Sequence, residues 1–159
     1  MARKQQKGYE TPTRGWQQDR IEREKESTSS YGLKNKKEVW KTESFVRDIR
    51  REARKLNAVQ DKEREQELLD KLARLGLVKD DAGLADVLEL DLEDIMDRRL
   101  QTIVYKKGLA GTMKQARQYV THGHIMIDDH VVDIPSYMVT TEEEENISVA
   151  PGSKSVVQK

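Results

Sequence analysis

The stretch GLAGTMKQARQYVTHGHIM, residues 108–126, holds Lys114, Arg117 and two histidines but no carboxylate, in a chain of 159 residues whose charges cancel. It has the marks of a short helix running into a strand. Thr112 and Gln115 are spaced as a capping box, and Gly123 is placed to stop the helix. Between them Met113, Ala116, Tyr119 and Val120 share one face, while Lys114, Arg117, Gln118 and Thr121 recur at i, i+3, i+4 and i+7 on the other. After Gly123 the period becomes that of strands. His124-Ile125-Met126-Ile127, Val131-Val132, Tyr137-Met138-Val139 and Ile147-Ser148-Val149 are short segments separated by turn residues, which predicts a small antiparallel sheet. Between the last two, Glu142 to Glu145 reads as a solvated turn.

Upstream, the apolar period predicts one helix from Leu92 to about Tyr105, capped by Asp91 with Asp94 three residues inside. Arg99 lies within its apolar arc and Arg98 beside it, so each must snorkel or find a partner; an ion pair and an RNA contact both fit. A short helical stretch is expected around residues 84–88. Another helix is expected over 61–75, with Leu68, Leu69, Leu72 and Leu75 as its stripe and Gly76 as its stop. A longer one spans about 35–57, opened by Asn35 and Glu38 at capping-box spacing. At 100° per residue, Val39, Phe45, Val46, Ile49, Ala53 and Leu56 form its core arc, and Arg47, Arg50, Arg51, Arg54 and Lys55 an adjoining basic arc.

Residues 1–30 have hardly any aliphatic side chains and read as an extended basic arm, disordered until it meets a partner. Tyr9 and Trp16 among Lys7, Arg14 and Arg20 suit phosphate contacts with stacking on bases; a tail with incidental aromatics has the same composition.

Charge is segregated along the chain. Residues 1–65 carry +6, 66–97 carry −7, 98–126 carry +6 and 127–159 carry −5. Two basic blocks can therefore face a polyanion while the acidic blocks face elsewhere. With no cysteine, disulfides and thiolate metal sites are excluded, and a reducing cytoplasm fits. No apolar run is long enough to span a bilayer and the start lacks the apolar core of a signal peptide, so no membrane partner is expected. His122, His124 and His130 are close in sequence, but the first two straddle a helix-ending glycine, and four convergent ligands are not in view. Neither a metal nor another cofactor is expected, and no catalytic motif occurs. The two imidazoles suit hydrogen bonds to an anion or stacking on a base.

The string RRLQTIVYKKGLAGTMKQARQYVTHGHIMI (98–127), followed by VVDIPSYMV (131–139), resembles the S-four RNA-binding module. The segments YETP (9–12), YGLKNKKEVW (31–40) and ESFVRDIRREAR (43–54) are similar to the archaeal and eukaryotic form of the S-four family of small-subunit ribosomal proteins. The resemblance implies an α+β fold: an extended basic arm (1–30), a helical rRNA-binding domain (31–97), a module of two helices and a short antiparallel sheet (98–149), and a flexible tail (150–159). It implies a structural protein of the cytoplasmic ribosome, not an enzyme, which binds small-subunit ribosomal RNA directly and early in assembly. The site would be a junction of several RNA helices clasped between the two parts, beside neighbouring ribosomal proteins and near where messenger RNA enters. The module positions it places at RNA are Arg98, Arg99, Lys106, Lys107, Thr112, Lys114, Gln115, Arg117, Gln118, His122 and His124, and Thr121 extends their face.

Two positions depart from the family pattern. Asp128-Asp129 replaces the usual Asn-Gly of the strand turn, which should alter the hairpin type. The run TTEEEEN (140–146) replaces a Gly-Asp, which argues against RNA contact at that edge. An RNA-modifying enzyme or a ribosome-associated factor could use the same module, but the region before it is basic and helical, with no catalytic constellation.

Overall fold

The computed structural model describes residues 7–153. The first six residues of the arm and the tail from 154 onward lie outside them. Eight helices and three strands follow one another among the described residues: α1 (Gln18–Ser30), α2 (Lys36–Val59), α3 (Lys62–Arg74), α4 (Leu84–Glu89), α5 (Leu92–Asp97), α6 (Leu100–Lys106), α7 (Met113–Thr121), β1 (Ile125–Ile127), β2 (His130–Val131), α8 (Thr141–Glu145) and β3 (Ile147–Val149).

The apolar arc of α2 builds the first core. Ile49, Ala53 and Leu56 pack with Leu68 and Leu72 of α3 and with Val87 and Leu90 at α4. Five of the six residues expected on this arc are buried; Phe45, at 37% exposure, is the exception. A second core joins α6 and α7 to the sheet through residues such as Leu100, Val104, Ala116, Val120, Ile125 and Val139. Leu33, Val39 and Met96 form a small bridge cluster near the junction of the two parts.

Residues 18–30 are helical, contrary to an extended arm over all of 1–30. The segment is rich in good helix formers, and Gln18–Glu22 and Arg20–Glu24 pair at i,i+4. What fixes it on the fold is Glu24, only 3% exposed, which accepts a hydrogen bond from Trp40 Nε1 at 2.8 Å and pairs with Lys36 at 3.2 Å. Ahead of α1 the chain lies along α2: Tyr9 sits against the Trp40 ring at 6.1 Å between centroids, and Glu10 pairs with Arg47.

The helix expected over 92–105 is two helices. Arg99 takes an extended conformation (φ −74°, ψ 142°) between α5 and α6. The segment 137–139 docks at this break: Leu100 N–H donates to the Tyr137 carbonyl at 2.8 Å and Val139 N–H to the Arg98 carbonyl at 3.1 Å. Tyr137-Met138-Val139, expected as a sheet strand, is thereby diverted to a single antiparallel bridge between Arg99 and Met138. The sheet itself has the order β2-β1-β3, all antiparallel.

The turn of the β1–β2 hairpin is Asp128-Asp129, and only Asp128 has positive φ (52°). A type I′ turn needs positive φ at both central residues, so this hairpin does not turn through type I′. The glutamate run is the helix α8 and not a turn; Thr140 Oγ1 accepts from Glu143 N–H, Glu143 accepts from Thr140 N–H at 2.8 Å, and carboxylates near a helix start suit its dipole.

Candidate nucleic-acid interface

Helix α7 forms as its sequence dictates. Thr112 Oγ1 accepts from Gln115 N–H at 3.1 Å, while Gln115 Oε1 turns back to accept from Gly111 N–H at 2.8 Å. At the other end His124 N–H reaches the Tyr119 carbonyl and Gly123 N–H the Val120 carbonyl, with Gly123 at φ +71°, a Schellman stop. Ala116, Tyr119 and Val120 are buried, whereas Lys114, Gln118, Thr121 and His122 are exposed. Lys114 makes no ion pair among the described residues, so its charge is available to a phosphate.

Arg117 differs from its neighbours on that face. It is half-buried and pairs with Glu38 of α2 at 2.9 Å. The same carboxylate takes Arg99 at 2.5 Å, and Arg99 is only 4% exposed. Burial pushes the Glu38 carboxyl upward, but the hydrogen bonds and charges of Arg117 and Arg99 outweigh it and hold the group below its ordinary value. Glu38 therefore serves the seam between the two parts instead of the capping box expected with Asn35, whose side chain caps nothing. It keeps one local bond, from Lys34 N–H at 3.2 Å.

The seam has a second tie. Gln101, buried, donates through Nε2 to the carbonyls of Tyr31, Gly32 and Met113. Gly32 adopts φ +55°, and a Cβ there would meet Met113 Cβ at 3.1 Å and Lys114 N at 3.2 Å. The α1–α2 turn thus lies against the start of α7, and Glu38 reaches Arg117 from the first turn of α2. Exposed Lys41 lines a cleft with Arg117, and exposed Lys34 and Lys37 stand in the segment around Glu38. The sequence signal for Lys34 and Lys37 is the run Lys34-Asn35-Lys36-Lys37, which only the fold brings toward the seam.

The remaining residues expected at RNA are distributed as follows. Arg98 pairs with Glu144 at 2.5 Å, Lys106 with Asp97 at 2.7 Å, and Lys107 donates to the Glu144 carbonyl, so all three lean toward acidic surface. On α2, Arg47 pairs with Glu10, Arg50 with Asp91 and Arg51 with Asp48, leaving Arg54 exposed without an ion partner among the described residues. At about 100° per residue, Arg47 and Arg54 lie on the far side of α2 from Glu38, while Arg51 and Lys55 turn toward the bearing of Lys37. Lys7 and Arg14 are exposed, and Trp16 is 95% exposed. His122 and His124 stack with rings 6.1 Å apart and 13° from parallel; His124 Nδ1 is 2.9 Å from Ser153 Oγ. Among the described residues no group of three His, Asp or Glu is placed to hold a metal, and no helix is long and apolar enough to cross a membrane.

The family model described as "S4 domain" matches residues 98–145, from the α5–α6 break through α8. The chain is 50% identical over 155 residues to small ribosomal subunit protein uS4 of Methanothermobacter thermautotrophicus, covering 95% of this chain and 90% of that one. It is 48% identical to the uS4 protein of Methanococcus aeolicus (95% and 88% covered) and 46% identical to that of Nanoarchaeum equitans (94% and 86%). With that identity over nearly the whole chain, the chain belongs to the uS4 family of small ribosomal subunit proteins, which are structural and not enzymes.

Proposed function

We infer that the chain binds small-subunit ribosomal RNA directly, early in assembly, and holds RNA helices in place as a structural constituent of the small subunit. The observation that carries the reading is the exposed α7 face of Lys114, Gln118 and Thr121, in a stretch (98–126) without one carboxylate, with Arg117 tied to Glu38 of the lysine-rich segment 34–41. Phosphates supply most of the affinity at such a surface, and base edges or stacking on His122 and the arm's Trp16 add local preference. The arginine arc, with Lys7 and Arg14 on the arm, gives a second contact on the other side of α2. Two separated basic faces suit a junction of RNA helices better than one continuous duplex. Neighbouring ribosomal proteins would then meet the acidic surface of α3–α5 and α8. A position near the incoming messenger RNA follows from the family resemblance.

Co-sedimentation tests the placement. The protein should remain with small subunits through a high-salt wash that strips loosely associated factors. Release with those factors would contradict an integral role.

A further inference from the structure

We propose that the cleft between α2 and the S-four module receives a single unpaired nucleotide of the bound RNA, its base laid on Phe45 and its phosphate held between Lys41 and Arg117. The proposal rests on the RNA-binding reading above and names the kind of RNA element that the seam takes.

The cleft encloses about 350 Å³, between Lys41 and Phe45 of α2, Ile95 of α5, Arg99 at the helix break, Arg117 of α7 and Met138 before α8. Such a volume is at the small end of the roughly 300–1,000 Å³ found for small-ligand sites. A base pair within a helix is too broad to enter; an unstacked nucleotide is not.

Phe45 is 37% exposed although it shares an arc with buried Val46 and Ile49. An aromatic ring left open beside Ile95 and Met138 offers a stacking platform that accepts any base, because every base has a π-face. Charge selects the same occupant. Glu38, the acid of this lining, is already neutralised by two arginines, and Lys41 with Arg99 and Arg117 leaves a surplus of two positive charges. An apolar peptide segment in the cleft would leave this charge unanswered, whereas a phosphate at Lys41 and Arg117 neutralises it.

The test compares Phe45→Leu, Phe45→Tyr and Lys114→Glu in the full chain, measuring affinity for a small-subunit rRNA fragment and the denaturant midpoint of each variant. Ultraviolet crosslinking of the wild-type protein, with the site read from both peptide and RNA, accompanies it. Phe45→Leu should weaken binding about tenfold, Phe45→Tyr should bind as wild type, and Phe45 should crosslink to one unpaired nucleotide. If Phe45→Leu binds as wild type while Lys114→Glu weakens binding, the cleft proposal fails and the RNA face stands. A Phe45 crosslink to a base-paired nucleotide, or to another protein in assembled subunits, overturns the proposal in the same way. If neither substitution changes affinity, both readings fall. Should the leucine variant not fold, the crosslink and the tyrosine variant decide alone.

Discussion

Glu38 and Arg117 are 79 positions apart in sequence and 2.9 Å apart in space, and Glu38 holds buried Arg99 at 2.5 Å with its other oxygen. One carboxylate therefore sets the module against the helical part and spaces the basic side chains that face outward. Glu38→Gln keeps the shape but leaves Arg99 buried and uncompensated. Breaking a buried pair in this way costs about 3 kcal/mol. Urea unfolding should show a loss of that order, with Lys37→Gln, on the exposed surface, near zero by comparison.

The same carboxylate gives a pH dependence of known sign. Its folded-state pKa lies below the ordinary 4.5, so the unfolded chain takes up the proton more readily. The stability it supplies is present above about pH 4.5 and is lost as pH falls through the lower folded value. Unfolding midpoints measured from pH 6 to pH 3 should fall less steeply for Glu38→Gln than for the wild type.

Tyr31 titrates in the opposite sense. Burial first, then the nearby Asp97 carboxylate that accepts its hydroxyl at 3.3 Å, push its pKa up to about 12. Its contribution is complete below the ordinary 10.0 and disappears as pH rises through 12. Ultraviolet titration of phenolate should lose a late-ionising step in Tyr31→Phe.

Gly32→Ala introduces a side chain where φ is +55° and where Cβ meets Met113 Cβ at 3.1 Å and the Met113–Lys114 backbone at 3.2 Å. The conformation alone costs about 1–2 kcal/mol. Denaturation should register at least that, whereas alanine at Gly8, where a Cβ has open space, should change little.

Helix α7 was legible because its signals are local: a threonine cap, a glycine stop and a two-faced period lie within a dozen residues. So was the apolar arc of α2. What escaped depends on residues far apart in sequence. The interruption at Arg98-Arg99 is made by segment 137–139, which nothing in the period of 92–105 announces. Helix α1 depends on Glu24 meeting Trp40 and Lys36, so composition alone made it look like an arm. Glu38 fits a capping box by spacing, yet two guanidiniums from the module draw it away from the local backbone. Arg117 consequently belongs partly to the fold, and Arg117→Glu would set two carboxylates against each other; Lys114 and Lys37, which make no ion pair among the described residues, test the proposed RNA face without that confusion.

The RNA face we infer runs along α7 and the lysine-rich segment around Glu38. The direct measurement is the salt dependence of binding to a small-subunit rRNA fragment, for the wild type and for Lys37→Glu with Lys114→Glu. Removing one phosphate-neutralising lysine should lower the log–log slope by about 0.7–0.9, so the double variant should bind more weakly with a slope smaller by about 1.5. A double variant with unchanged affinity and unchanged slope would contradict the account.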